Sequence, residues 1–511
     1  MPDPSLSIAQ HYHERTKYAP ETLMGRELDW ANQPISFKQY KIGTAFDLKP
    51  YLAENADLSA EDLHWQRLSR LLFCSYGLTV KMLTQNGDPV YFRAAPSAGG
   101  LYPAEVYLIS RGSPLVPAGL YNYQPQTHSL LRFWDSEVWT ALQRSCFWHP
   151  SLESTQLALV TTAVFYRSVW RYDDRAYRRI YLDTGHLLGN IELACALNDY
   201  RPYLIGGFAD AAMNQLLYLD TEQEGTTTVI ALADLLDVNQ NLPLAPTALP
   251  SPTDIHYPKL ADGALLPYFH QATQIKESEQ SSTVKDLLKS MQAEVTNPPE
   301  DKYNFPFCLK VSTLTPPIQW GDNLEGLGNT ILKRRSTRAY SGADLTLDEL
   351  KALLDFTYQP QNYIEQGLDR SPDYFDLGLI ETFIAVSGVD GLEEGCYYYA
   401  PKAQELRQIR FKNFRRELHM LCLQQNLGRD AGAVLFHTSD LQQAIARYGD
   451  RVYRYLHLDA GHLGQRLNLA AIRLGLGVSG IAGFFDDQVN ELLGIPGDEA
   501  VLYITTLGRP R

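Results

Sequence analysis

A 17-residue stretch occurs twice in this chain, as RYDDRAYRRIYLDTGHL over residues 171–187 and RYGDRVYRYLHLDAGHL over 447–463, with 11 of the 17 positions identical. The offset of 276 residues holds without a gap well outside that stretch. Gly119-Leu-Tyr-Asn-Tyr meets Gly395-Cys-Tyr-Tyr-Tyr, Gly207-Phe-Ala-Asp meets Gly483-Phe-Phe-Asp, and Asn214 meets Asn490. Leu187, Ile191 and Ala194 recur at helical spacing after the first copy, as Leu463, Leu467, Ala470 and Leu474 do after the second. The chain is a tandem duplication.

At 511 residues the expectation is two or three domains rather than one core. A net charge of −14 gives no general electrostatic reason to bind nucleic acid or an anionic membrane surface. The six cysteines form no CxxC pair and no metal-ligand spacing, which suits reduced thiols in a cytoplasm. The first 30 residues carry charges throughout and no window reaches 18 apolar residues, so neither a signal peptide nor a membrane span is expected.

Four segments follow from composition and pattern: an arm at 1–56, copy one at 57–236, a Pro-rich linker and insertion at 237–320, and copy two at 321–511. The arm shows no persistent period and reads as extended. Ser59 caps a helix with Leu63, Leu68, Leu71 and Leu72 as its apolar positions. Strands are expected at Glu105–Ser110, in the hairpin Gly119–Tyr123/Ser129–Phe133, and at Leu157–Phe165 and Thr226–Leu232. Residues 259–320 have no counterpart in the repeat numbering and include a helix near Val284–Ala293. Copy two opens with a helix containing Lys333–Tyr340, then a second, Leu347–Phe356, with Thr346 and Glu349 as a capping box. Hairpins between the helices rule out an all-parallel sheet and predict an α+β layer in each copy, with a mixed or antiparallel sheet.

Arg334, Arg335, Ser336 and Arg338 crowd three guanidiniums and a hydroxyl into five residues, a donor set suited to gripping a phosphate. The same cluster also fits a solvated basic face, as the tail residues Arg509 and Arg511 fit an ordinary basic terminus. The loop Pro96-Ser97-Ala98-Gly99-Gly100 offers close backbone approach to a planar ligand, or simply a tight turn before a strand. Gly475-Leu-Gly-Val-Ser-Gly480 matches GxGxxG but closes a helix instead of opening one, so it is set aside as a helix end and turn. Asp183/His186 and Asp459/His462 occupy matching positions; an Asp capping amides at a helix start beside a buried His explains them better than a metal, and no metal is expected.

Together, the Arg-Arg-Ser-x-Arg segment, the PSAGxLYP loop, the YRYxxLDAGH helix and the Gly-Phe-x-Asp turn resemble the nitroreductase superfamily of FMN enzymes. The likeness is nearest to its SagB/ThcOx-type dehydrogenases. It implies two nitroreductase-like domains forming an intramolecular pseudo-dimer, acting as a monomer, with FMN between the copies and NAD(P)H as a candidate electron donor to a small-molecule substrate. Carried over by residue, the flavin-binding set is Arg334, Arg335, Ser336, Arg338, Ala482, Gly483, Phe484, Arg509 and Arg511 from copy two. Copy one contributes Pro96, Ser97, Ala98, Gly99 and Gly100. The opposite set is degraded: Pro372-Asp-Tyr-Phe-Asp376 replaces the PSAGG loop, and Ala233 and Leu235 stand where Arg509 and Arg511 would be. One complete flavin site is therefore expected. The family's azoline oxidases carry a Lys-Tyr pair before the YRY segment; here the pairs are Arg171-Tyr172 and Arg447-Tyr448. Arg stays protonated and cannot be a base, which leaves Tyr172 and Tyr448 as candidate catalytic donors. The alternatives are a degenerate flavin-binding or scaffold protein without turnover, and an azoline or thiazoline dehydrogenase of peptide natural-product maturation.

Overall fold

The structure, a computed structural model, describes residues 6–21, 27–53, 59–84, 87–113, 115–237, 246–277, 300–304 and 307–511. The helix expected near Val284–Ala293 lies outside these residues. Each copy builds one seven-stranded sheet. The copy-one sheet takes β1 (Thr44–Asp47) from the arm and has β2 (Ala104–Ser110), β3 (Gly119–Gln124), β4 (Ser129–Trp134), β5 (Leu157–Val164), β6 (Tyr200–Ile205) and β7 (Glu224–Asp234). The copy-two sheet takes β8 (Lys310–Ser312) from the segment before it and has β9 (Glu381–Val386), β10 (Gly395–Ala400), β11 (Glu405–Arg410), β12 (Ala433–Asp440), β13 (Gly477–Ile481) and β14 (Glu499–Gly508). The orders are β1-β4-β3-β2-β5-β7-β6 and β8-β11-β10-β9-β12-β14-β13, the same topology twice. Both sheets are antiparallel throughout, with Ser110 opposite Leu157 in one and Val386 opposite Ala433 in the other. Even the irregularity repeats: a bulge after Thr161 in β5 matches one after His437 in β12.

Eleven helices carry the remaining description: α1 (Ile8–Arg15), α2 (Ala60–Tyr76), α3 (Phe165–Tyr172), α4 (Ala176–Ala196), α5 (Asp210–Leu216), α6 (Leu265–Ala272), α7 (Glu325–Lys333), α8 (Leu347–Tyr358), α9 (Leu441–Tyr448), α10 (Val452–Arg473) and α11 (Asp486–Leu493). The predicted caps are present: Ser59 accepts from the Asp62 amide, and Thr346 and Glu349 form a reciprocal capping box. Leu63, expected on the apolar face of α2, is instead 41% exposed. It sits in the first turn, ahead of the surface that α2 buries from Trp65 onward.

The repeated stretches become the paired central helices α4 and α10, buried along nearly their whole length. They touch at Gly185 and Gly461, equivalent residues whose Cα atoms face one another. A Cβ on Gly185 would lie 2.9 Å from the Gly461 Cα, and one on Gly461 3.0 Å from the Gly185 Cα. Only glycine permits that approach. The two copies therefore share one interior, with Tyr177, Ile180 and Tyr453 in the same apolar cluster.

The arm departs from the sequence reading. It contains α1, opened by a capping box between Ser7 and Gln10, and the strand β1. Moreover, the structure pairs α1 with α6, so the segment at 259–320 does hold a counterpart of the arm. Residue by residue at an offset of 257, Tyr12 meets Phe269, His13 meets His270, and Thr16 meets Thr273. His13 bonds the Tyr453 hydroxyl and His270 the Tyr177 hydroxyl, each at 3.2 Å between equivalent partners. Arg178 donates to the Thr16 hydroxyl at 3.0 Å and Arg454 to Thr273 at 2.9 Å. Asp450 receives the Ala9 amide near the start of α1, and Asp174 the Leu266 amide near the start of α6. The change of offset and the few identities concealed this second repeat.

Four buried arginines lock the halves across the pseudo-symmetry. Arg175 and Arg178 of copy one bind Asp486 of copy two at 2.9 and 2.6 Å, and Arg451 and Arg454 of copy two bind Asp210 of copy one at 2.6 and 2.7 Å. Burial opposes charge on both aspartates, yet the guanidiniums hold them below the usual carboxylate range. Among the described residues no helix is long and apolar enough to cross a membrane.

Candidate functional site

The loop Pro96–Gly100 lies against the middle of α4. Gly99 and Gly100 adopt φ of 66° and 67°, backbone that disfavours a side chain. Asp183 organises the loop: its carboxylate accepts the Ser97 hydroxyl at 2.6 Å and the Ala98 amide at 3.1 Å, and Ser97 in turn accepts the Tyr102 amide. Asp459 does the same for copy two, accepting the Phe375 and Asp376 amides. Neither Asp stands at a helix start as the sequence suggested. Each sits in the second turn of its helix and caps the amides of a separate loop. Burial pushes both carboxyls up, to about 7.

Across from this loop, α7 ends at Lys333 and the chain from Arg334 to Tyr340 runs as a loop, where the sequence predicted helix. The reason is tertiary. Arg334 is buried and donates to the carbonyls of Ala94 and Arg93 in copy one, at 2.7 and 3.2 Å. Thr337 exchanges hydrogen bonds with Val478 at 2.9 and 3.0 Å, drawing the segment along β13. Gly475 ends α10 at φ 72°, and the expected turn after it is the strand β13.

A cleft of ≈ 160 Å³ opens between the copies. Copy one supplies Pro96–Gly99, Leu182, Asp183 and His186; copy two supplies Ser336, Arg338, Asn468, Ser479, Gly480, Ala482 and Tyr503. Arg338 is exposed and has no hydrogen bond or ion pair among the described residues. Burial, with the charge of Arg334 nearby, lowers His186 to about 3, so its neutral ring bonds the Tyr503 hydroxyl at 3.0 Å. Gly480 is required there, because any Cβ would strike the Tyr503 ring. Tyr172 borders the same loop: its hydroxyl lies 2.8 Å from where a Gly99 Cβ would be.

The other expected residues scatter in role. Arg335 is half-buried and turns back to the Leu332 and Arg334 carbonyls. Phe484 packs in the core beneath Arg175, and Gly483 abuts Arg179. Arg509 is held by both Glu349 oxygens at 2.8 Å, the glutamate of the α8 capping box, and Arg511 is exposed at the chain end. Tyr448 lies at the opposite, pseudo-equivalent position, donating to Asp376 at 3.2 Å. His186, Asn468, Ser479, Gly480 and Tyr503 were not read as site residues; the repeated Asp-x-x-His pointed to His186, and the Gly475–Gly480 segment, set aside as a helix end and turn, contains Ser479 and Gly480.

That opposite position is closed. Phe375 stacks on Tyr455 with centroids 4.7 Å apart and covers Gly206; Tyr374 stacks on His462 at 4.4 Å. The segment joining the copies helps to fill it, since Leu249 packs on Gly207 and Thr247 receives the Gly206 amide. A space of ≈ 20 Å³ remains.

Comparison with known proteins agrees with this architecture. The chain is similar to a crystallised candidate nitroreductase of Anabaena variabilis, with 70% identity and a TM-score of 0.94 over 99% of this chain and 100% of that one. It is 33% identical to a candidate nitroreductase of Methanocaldococcus jannaschii over 183 residues, 36% of this chain and 90% of the relative. It is 28% identical to the trifolitoxin-processing protein TfxF of Rhizobium leguminosarum bv. trifolii over 26% of this chain and 43% of that protein, less than half its length. The nitroreductase family model matches residues 62–233 and 331–509, one match in each copy. With its duplicated sheet and two such matches, this chain belongs to the nitroreductase family.

Proposed function

We propose that the chain is an FMN-dependent oxidoreductase with one composite flavin site, acting as a monomer whose two copies stand in for the subunits of a dimer. The observation that carries this reading is the contrast between the two equivalent positions, one an open cleft and the other filled by Tyr374, Phe375 and Leu249. The open cleft suits a flat ring system edged with hydrogen-bonding atoms. Gly99, Gly480 and Ala482 keep its walls low, and Ser336 and Ser479 offer hydroxyls. Arg338 supplies a cation with no acidic partner for a phosphate. At ≈ 160 Å³ the enclosed part is smaller than the roughly 300–1,000 Å³ of typical ligand pockets, so a flavin would extend into the open mouth.

When bound, FMN would supply the two-electron chemistry that no side chain in the cleft carries. The protein's part is orientation. Asp183 fixes the Pro96–Gly100 loop, Tyr503 and His186 close the floor, and Tyr172 has its hydroxyl free of hydrogen bonds among the described residues, available to donate to a bound substrate. NAD(P)H is the candidate electron donor for a small-molecule acceptor.

The test is heat-released flavin quantified against protein. One equivalent is expected, with FMN affinity falling by about tenfold in Arg338→Ala. A protein that takes up no added FMN overturns the reading, and so does one that binds two equivalents. A second reading, oxidation of rings in a processed peptide, is favoured by the likeness to the trifolitoxin-processing protein and by Tyr172 at the cleft. The guanidinium of Arg171 beside it cannot take a proton.

A further inference from the structure

Four arginines at the centre of the molecule are matched across the two copies. Arg175, Arg178, Arg451 and Arg454 are neutralised in pairs by Asp486 and Asp210. Arg179, the next residue on α4, is 5% exposed and pairs with no carboxylate among the described residues. Its Nη1 is buried without a hydrogen-bond partner, and its Nη2 meets only the Tyr18 hydroxyl, at 3.5 Å. The guanidinium instead lies 3.8 Å from the centre of the Tyr172 ring. In copy two the equivalent residue is Tyr455, which stacks on Phe375 inside the closed position. This cation therefore has no counterpart at the closed position.

Its location joins the two loops that bound the cleft. Nη2 of Arg179 is 3.2 Å from where a Cβ on Gly483 would be, next to Ala482. The Tyr172 hydroxyl is 2.8 Å from the corresponding point at Gly99. Arg171 also lies near the Tyr172 ring, 5.8 Å from its centre. A buried guanidinium without a counter-charge is unfavourable unless something compensates it. Among the described residues the Tyr172 ring face and the nearby Asp183 carboxyl act on it, yet no carboxylate forms an ion pair with it and its Nη1 stays without a hydrogen-bond partner.

We propose that Arg179, backed by Tyr172, is the anion-binding element of the substrate site, so that the molecule acted on carries a carboxylate. One planar guanidinium fork beside one phenol hydroxyl matches the two oxygens and single charge of a carboxylate. The proposal rests on the cleft being the reaction site, and Arg179 determines specificity there by binding.

The experiment is isothermal titration of the full-length protein, with and without added FMN, using 4-nitrobenzoate and the uncharged 4-nitrobenzamide. The wild type is expected to bind the carboxylate at least about tenfold more tightly than the amide. Arg179→Met should abolish that preference without weakening the amide, Arg179→Lys should retain part of it, and Tyr172→Phe should reduce it severalfold. Equal affinities in the wild type, or a preference that survives Arg179→Met, overturn the proposal. Should Arg179→Met fail to fold, the wild-type ratio and Tyr172→Phe still decide. A protein that takes up no FMN yet keeps the preference refutes only the cofactor reading. Loading with FMN and no preference refutes only the anion site.

Discussion

Replacing Asp486 by Asn removes the single negative charge that Arg175 and Arg178 share and weakens the acceptor for the Tyr18 amide. All three side chains are at most 3% exposed, so water cannot take over. Breaking a buried pair from one side costs about 3–5 kcal/mol, mostly from the charge left behind. An unfolding entropy of about 2.1 cal/mol/K per residue gives roughly 1.1 kcal/mol/K for 511 residues, hence a Tm fall of about 3–5 °C. The pseudo-symmetry then makes a sharper demand. Asp210→Asn removes the charge shared by Arg451 and Arg454 and weakens the acceptor for the Ile275 amide, and must cost about the same. Hydrogen exchange should separate the two variants. Asp486→Asn loosens the N-terminal arm around α1, and Asp210→Asn loosens the segment around α6. Converting Arg175, Arg178 and Asp486 together to apolar residues should recover most of the loss, since the desolvation penalty goes with the charges. Unequal Tm shifts, or protection lost in the same arm in both variants, would refute the claim that the arms are equivalent and held across the copies.

Three further outcomes are expected. Gly461→Ala should destabilise the protein by about 1–3 kcal/mol in chemical denaturation by forcing α10 off the Leu182 carbonyl and Gly185; helix propensity alone predicts a gain of roughly 1 kcal/mol, so the sign decides. Phe375→Ala should cost about 3–5 kcal/mol through the cavity left against Tyr455, while bound flavin stays at one equivalent because copy one has Ala233 and Leu235 in place of cations. Burial raises Asp183 and Asp459 to about 7, so each native carboxyl holds its proton over a range where the unfolded chain has released it. Their contribution to stability is therefore full below about pH 4 and lost as pH rises through about 7, with a slope of up to about 1.4 kcal/mol per unit each. Denaturation across pH 4–8 should show that slope flattened in Asp183→Asn, and an unchanged slope counts against it.

Much of the architecture was legible in the chain because it depends on local rules. The duplication at offset 276 required two copies of one sheet, and the hairpin at Gly119–Phe133 excluded a parallel one. Caps at Ser59 and Thr346 depend on residues three apart and formed as read. Pro96–Gly99 of the small-residue loop, Ser336, Arg338 and Ala482 were each visible, and the structure brings them to one cleft.

Other features were fixed only when distant segments met. Periodicity did not reveal that Lys333–Tyr340 would unwind, because the groups that hold it open are the carbonyls of Arg93 and Ala94, some 240 residues earlier. Composition made Arg509 a free cation, whereas Glu349 takes both its terminal nitrogens and the Asp344 carbonyl its Nε. The kinship of α1 and α6 is carried by what His13, Thr16, His270 and Thr273 bond to, not by identity along the chain. The isolation of Arg179 is likewise invisible in a run of arginines, since charge pairing is decided by which carboxylates the fold brings within reach. The sequence by itself determined that there would be two copies and which local elements they contain. The substitution of Pro372–Asp376 for the small-residue loop already marked one position as degraded, but the tertiary structure alone decided how it is filled, because that depends on Phe375, Tyr374 and Leu249 arriving from separate segments to occupy the same space.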